Sequence, residues 1–167
     1  QFIQDCCPMF NKFTFIQDIG WDGRNFLDLN NKVMKNIFLL YPFEWLVDEE
    51  FFQFINSNNF KPINPWWTYI LTSKGVLPLL WELFPDSEYL LPAYWEKPNE
   101  GTWVSKALYG REGCNIEILN GDITISSTID NNYSNVFGVI YQKFMTIKKY
   151  DRKTPIIGSW VIGSEPA

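Results

Sequence analysis

At 167 residues, with 46% hydrophobic and 20% charged residues, the sequence is that of a globular domain able to bury a core, not of a disordered segment. A net charge of −5 excludes a general nucleic-acid binder, which needs a basic footprint, and the absence of histidine excludes a His-based triad or a His-ligated metal. The three cysteines, Cys6, Cys7 and Cys114, lack zinc spacing and suit a reducing, cytoplasmic compartment, and no apolar run reaches the roughly 18 residues of a membrane span.

Residues 13–19 alternate weakly and predict a strand, turned at Gly20-Trp-Asp-Gly23. Residues 25–29 and 33–40 predict two more strands, joined by Asn30, Asn31 and Lys32. Apolar spacing over 43–55, with acids at 48–50, predicts a helix. Residues 56–67 are rich in Asn and Pro and predict a loop. Ser73 is a suitable N-cap, and Pro78 is tolerable only in a first turn. A helix is therefore expected to start near Lys74 or just after it and to end at Pro85. Residues 85–100 hold three prolines and predict a connector. Residues 102–108, 116–119, 123–127 and 136–145 predict four mostly antiparallel strands, with 156–162 a fifth. The fold class is α+β. The sequence opens mid-pattern and stops just after an apolar run, which predicts an internal piece of a longer protein.

Several groups carry chemistry. Alternation over 103–109 puts Lys106 on one strand face; alone, such a lysine is ordinarily a solvated surface group. Beside it, Gly110 and Gly113 offer backbone freedom for N–H groups to line a concavity, and Arg111 offers a planar fork, a combination that suits phosphate. Lys74 at a helix start sits in the positive end of the macrodipole, mildly unfavourable unless an anion binds there; an exposed lysine with a small cost is the plain alternative. Gln142 on a predicted strand, with Lys143 and Phe144 after it, can read a purine edge and hold its face, although on local grounds a simple sheet strand explains it better. Tyr41-Pro-Phe-Glu-Trp45 gathers rings around Glu44, either as a helix entry or as the wall of a cleft. Asp18 and Asp22 flank a turn and are expected to cap it; no metal is assigned to them.

Together these stretches resemble the C-terminal ligase domain of glutathionylspermidine synthase and its stand-alone bacterial paralogues lacking the amidase half, an ATP-grasp family. The resemblance rests on Asp18-Ile-Gly-Trp-Asp22, Leu40-Tyr-Pro-Phe-Glu-Trp45, Ser73-Lys-Gly-Val-Leu-Pro-Leu-Leu-Trp-Glu-Leu-Phe-Pro85, Leu90-Leu-Pro-Ala-Tyr94, Lys106-Ala-Leu-Tyr-Gly-Arg-Glu-Gly113, Ile140-Tyr-Gln142 and Pro155-Ile-Ile-Gly-Ser-Trp-Val-Ile-Gly163, in the family's order. It implies an incomplete ATP-grasp-type fold, an antiparallel sheet with packed helices, in which residues 1–70 form a substrate-side portion and 71–167 a nucleotide-binding portion. It implies ATP contacts from Lys74 and Lys106, a nucleotide-covering loop with Glu112 and Gly113, an adenine pocket at Gln142, Lys143 and Phe144, and a charge-offsetting catalytic role for Arg111.

Glu44 and Trp45 fall on the substrate side. Trp45 stands where the synthase has a small polar residue that contacts its thiol peptide, which argues for a carboxylate other than glutathione. Ala107 departs from the proline that usually follows the second lysine. The family's Mg²⁺ ligands are expected upstream of this sequence, which alone is expected to be inactive. The implied activity is ATP-dependent joining of a small-molecule carboxylate to an amine through an acyl phosphate, with no nucleic-acid or membrane partner. The competing expectation is a degenerate relative that binds nucleotide or a partner without catalysis.

Overall fold

The computed structural model describes residues 12–55, 60–128, 137–158 and 161–166, and the chain divides into two units, Gln1–Val76 and Leu77–Ala167. Cys6, Cys7, the start of the strand expected at Val136 and the Ser159-Trp160 pair lie outside the described residues.

In the first unit, strands β1 (Gly20–Trp21) and β2 (Phe26–Leu27) form an antiparallel hairpin. Asp22 closes it: its carboxylate accepts the N–H groups of Arg24 and Asn25 at 2.8 and 2.6 Å, the capping role expected of it. Gly23 supplies the positive φ of 92° that this turn requires. The next turn is built on Asp28, which is buried and accepts the N–H groups of Asn30 and Lys32 on one oxygen and the Lys12 ammonium on the other. Strand β3 (Asn36–Ile37) pairs in parallel with β4 (Lys61–Pro62). Beyond this pair the Asn64 amide stands in for a strand, accepting the Leu39 N–H at 2.9 Å and donating to the Leu39 carbonyl at 3.0 Å. The core gathers Phe26, Leu39, Leu46, Ile55 and Tyr69, ringed by half-buried aromatics such as Trp21, Phe43 and Trp66.

The loop expected over 56–67 holds β4 and the start of a 3-10 helix, Trp66–Thr72, and two further expectations fail in this unit. Residues 13–19 form no strand but a 3-10 turn, Ile16–Asp18. The Asp18 and Ile19 N–H groups close onto the carbonyls of Phe15 and Ile16, so they are spent locally and cannot join a ladder. The helix expected over 43–55 breaks into α1 (Phe43–Leu46) and a 3-10 turn, Glu50–Phe54. The break falls in the acidic run, where Glu49 is extended (φ −73°, ψ 137°) and its carboxylate accepts the Tyr41 hydroxyl at 2.7 Å. Burial, with help from Glu49, pushes that hydroxyl's pKa up to about 12.

The Asp28 turn sets a pH dependence. The Lys12 ammonium and the two N–H donors hold the Asp28 carboxyl at about 2, below an ordinary aspartate near ~3.9. A depressed carboxyl contributes stability that is complete above the unfolded pKa and lost as pH falls through the folded one. Unfolding midpoints should therefore drop between about pH 4 and about pH 2, and Asp28→Asn should remove part of that drop. An identical acid profile in wild type and variant would refute the assignment.

α2 (Val76–Leu83) leads into the second unit and starts just after Lys74, as expected, with Pro78 in its first turn, and Phe84 closes it before Pro85. A five-stranded antiparallel sheet follows, in the order β5 (Ala93–Tyr94), β9 (Val139–Lys143), β6 (Thr102–Ala107), β7 (Ile116–Asn120), β8 (Ile123–Thr128). Gly121 takes positive φ in the two-residue β7–β8 turn. Strand β6 is central and alternates: Trp103, Ser105 and Ala107 are buried, while Thr102, Val104 and Lys106 are half-buried on the opposite face.

The connector expected over 85–100 contributes β5 as the sheet's edge. The fifth strand expected over 156–162 does not join the sheet. Val161–Ile162 (β10) pairs instead with Glu165–Pro166 (β11), and Ile156 and Ile157 are exposed. The α+β class with an antiparallel sheet and few helices stands.

Candidate functional site

The pairing of β6 with β9 sets the geometry around Lys106. Lys106 lies opposite Ile140, and Val104 opposite Gln142. Residues two apart share a face, so Gln142 is the diagonal neighbour of Lys106, within reach of a long side chain. The Lys106 ammonium donates to the Gln142 side-chain carbonyl at 2.6 Å. Beside the pair, Ile140 is fully buried and gives the strand a fixed seat. A half-buried ammonium held in one direction is pre-organised to meet a negative group.

Alternation carries Lys143 to the other face, where its ammonium lies 4.9 Å from the centre of the Trp103 ring. Gly101 leaves room for it: a Cβ there would come to 2.7 Å from the Lys143 nitrogen. The N–H groups of Lys143 and Phe144 donate to the carbonyls of Pro92 and Thr102 at 2.8 and 3.0 Å, inside the sheet. Of these three neighbouring residues, the structure brings Gln142 to Lys106 and takes the Lys143 ammonium away. Phe144 lies just past the strand with its ring exposed.

The turn between β6 and β7 begins immediately after the strand that carries Lys106. Gly110 is needed for space, since a Cβ there would meet the Cys114 carbonyl at 3.1 Å and the Ala107 methyl at 3.2 Å. Its N–H donates to the Ala107 carbonyl at 3.2 Å, so Gly110 closes the turn. Glu112 and Gly113 take positive φ, 52° and 76°. For Glu112 this costs on the order of 1 kcal/mol, a strain that commonly accompanies function. The Gly113 carbonyl accepts the Thr128 hydroxyl at 2.7 Å, anchoring the turn to β8. Arg111, Glu112 and Gly113 are exposed at its tip.

Lys74 belongs to the first unit. It is half-buried two residues before α2, and the preceding Ser73 hydroxyl accepts the Gly75 N–H at 3.2 Å. Ser73 thus organises the entry to the helix without being its immediate cap. Glu44 and Trp45, adjacent on α1, differ in environment: Glu44 is 7% exposed and Trp45 41%. The Trp45 ring meets Tyr41 edge-on at 5.9 Å. Among the described residues no three Asp, Glu or Cys side chains gather into a group that could hold a metal. Mg²⁺ finds no ligand set among them.

A sequence profile described as glutathionylspermidine synthase preATP-grasp matches residues 6–167. The chain belongs to that family. A Haemophilus influenzae protein provisionally named an acid–amine ligase is 36% identical over 158 residues, which are 89% of this chain and 40% of that protein. A trypanothione synthetase of Crithidia fasciculata is 30% identical over 102 residues, 59% of this chain and 16% of that one. A bifunctional glutathionylspermidine synthetase/amidase of Escherichia coli is 28% identical over the same share of both chains. The chain therefore spans less than half the length of these members of the glutathionylspermidine synthase family.

Sequence reasoning singled out Lys106 and Gln142 separately but missed their contact, which depends on a register set across 36 residues of chain. It also missed β5, whose Ala93 lies opposite Gln142. A two-residue strand between Pro92 and Trp95 carries almost no periodicity to detect.

Proposed function

We propose that the chain is part of an ATP-dependent ligase that joins a small-molecule carboxylate to an amine through an acyl phosphate, with an ATP-grasp-type nucleotide site. The observation that carries this proposal is the Lys106 ammonium, fixed by Gln142 on a half-buried sheet face that runs directly into the glycine turn. The family and the ligase and synthetase names of the relatives support the reaction class.

In this mechanism Lys106 binds phosphate oxygens and offsets charge that builds as the phosphoryl group leaves ATP. Arg111, at the exposed turn tip, supplies a second, planar cation to the same oxygens. Glu112 and Gly113 form the part of the turn that covers the nucleotide, and the turn around Glu112 holds it in its strained conformation. Gln142 orients Lys106 and presents its amide N–H₂ to the nucleotide base, with Lys143 and Phe144 contributing backbone and ring at the pocket's edge. Lys74 is a further ATP contact, assigned on the family resemblance alone. Residues 1–70 serve the substrate side, with Glu44 and Trp45 near the carboxylate or amine. A cytoplasmic enzyme follows from the cysteine usage.

The test is release of ADP and phosphate by the full-length protein across a panel of carboxylates and amines. Release that requires one carboxylate and one amine together supports the proposal. Nucleotide binding with no release across the panel would favour a degenerate relative.

Substrate choice gives a separate prediction. Trp45 is large and lacks the hydroxyl that a small polar residue would offer, so glutathione is expected to be a poor substrate. Trp45→Ser should raise glutathione-dependent turnover by about tenfold or more relative to the preferred carboxylate. The ring is well exposed, so the change should leave stability within about 0.5 kcal/mol. Efficient wild-type turnover with glutathione would remove Trp45 as the discriminating residue.

A further inference from the structure

The second unit holds a shallow hollow of about 320 Å³ between α2 and the β5 edge of the sheet. It is lined by Trp81, Glu82, Tyr94 and Trp95, with Pro78, Pro85 and Ala93 completing the wall. The indole N–H of Trp81 donates to the Tyr94 hydroxyl at 3.3 Å, which ties helix to strand and fixes two of the three rings. Tyr94 is held from behind by Trp103, edge-on at 5.5 Å. Neither Lys106 nor Gln142 lines the hollow, although its seventh lining residue, Ala93, lies opposite Gln142 in the sheet, so the hollow adjoins the site described above without sharing its side chains.

Three electron-rich rings and one carboxylate suit a cation. Aromatic faces attract an ammonium through their quadrupoles, and a carboxylate adds a full opposite charge. The sequence between Lys74 and Lys97 holds four acidic residues, Glu82, Asp86, Glu88 and Glu96, of which Glu82 lines the hollow; Lys143, on the strand paired with β5, is already engaged over the Trp103 ring.

The lining also selects the kind of cation. A primary ammonium brings three N–H donors and needs an acceptor for each. Among the side chains of the hollow Glu82 is the one full anion, and the Tyr94 hydroxyl, which already takes the Trp81 N–H, has at most one lone pair left to offer. Donors left without partners would cost affinity. A trimethylated ammonium has no N–H to satisfy, spreads its charge over methyl groups and fills ring-lined space.

We propose that the Trp81–Tyr94–Trp95 hollow is a binding site for a quaternary trimethylammonium group. The site does not rest on the ligase reading and stands or falls separately.

The probe is choline, titrated calorimetrically into the full-length protein beside its uncharged isostere 3,3-dimethyl-1-butanol and beside ethanolamine. Choline should bind about tenfold or more tightly than either. Trp95→Ala removes a ring that is 49% exposed and should abolish binding with the fold intact, as checked by circular dichroism. Glu82→Gln should weaken choline several-fold and leave the uncharged isostere unchanged. Phosphatidylcholine vesicles distinguish the source: co-sedimentation lost in Trp95→Ala assigns a lipid headgroup, and choline binding without co-sedimentation assigns a free solute. Failure of choline to bind at millimolar concentration, equal binding of the uncharged isostere, preference for ethanolamine, or binding indifferent to Trp95→Ala would each overturn the proposal.

Discussion

Lys106→Ala is expected to lower ATP turnover by the full-length protein about a hundredfold, the usual cost of removing one pre-organised charge from a developing anion. The loss should appear mainly in kcat, because charge on the phosphoryl oxygens grows toward the transition state and the alanine no longer answers it. Folding should survive: Lys106 is half-buried, and its strand is seated by Trp103, Ser105 and Ala107 on the other face and by the fully buried Ile140 next to it. Gln142→Leu serves as the companion. It leaves the ammonium in place but without its 2.6 Å partner, so a smaller loss is expected than for Lys106→Ala. Wild-type kcat in Lys106→Ala, with circular dichroism unchanged, would remove the lysine from the mechanism.

Leu46→Ala is expected to destabilise the first unit by about 2–5 kcal/mol, the range for truncating a buried leucine without full collapse of the cavity. Leu46 has no exposed surface and lies in the cluster with Phe26, Leu39, Ile55 and Tyr69. Rings around that cluster are held by their own contacts, such as Trp21 stacked on Phe54 at 4.7 Å and Phe43 against Tyr69 at 4.8 Å, so the void cannot readily close. Native-state hydrogen exchange in the first unit reads the loss directly as faster exchange of its most protected amides. Leu40→Ala, at a position 71% exposed, is the control and should change little. Equal effects of the two substitutions would mean that the core is not where the structure puts it.

What the sequence made legible follows physical lines. The strands of the five-stranded sheet were readable because β6 and its partners are long enough to show alternation, and because glycines mark their turns. The helix at Val76–Leu83 was readable from Ser73, Pro78 and Pro85, which act locally.

The first unit was harder. Its strands are two residues long, its parallel pair β3–β4 joins segments distant in sequence, and part of its ladder is completed by the Asn64 side chain. None of these leaves a periodic trace. The acidic run at 48–50 was visible, but not that Glu49 would turn extended to take the Tyr41 hydroxyl and split a helix.

At the candidate site, residue types pointed to Lys106, Arg111 and Gln142, whereas the partnership of Lys106 with Gln142 and the departure of Lys143 to the Trp103 face come from register. Gly110 is instructive in the same way. It was expected to free a backbone donor, and it instead gives room to a tight turn and donates within it.

The proposed reaction has one signature that no other route shares. If a carboxylate attacks the terminal phosphoryl group of ATP and an amine then displaces phosphate from the acyl phosphate, one carboxylate oxygen leaves with that phosphate. The full-length protein should be run to completion on ATP, an amine and the preferred carboxylate labelled with oxygen-18, and the phosphate analysed by mass spectrometry. The account predicts one labelled oxygen in each phosphate released and none in the nucleotide. Unlabelled phosphate, or label recovered in AMP, would contradict it.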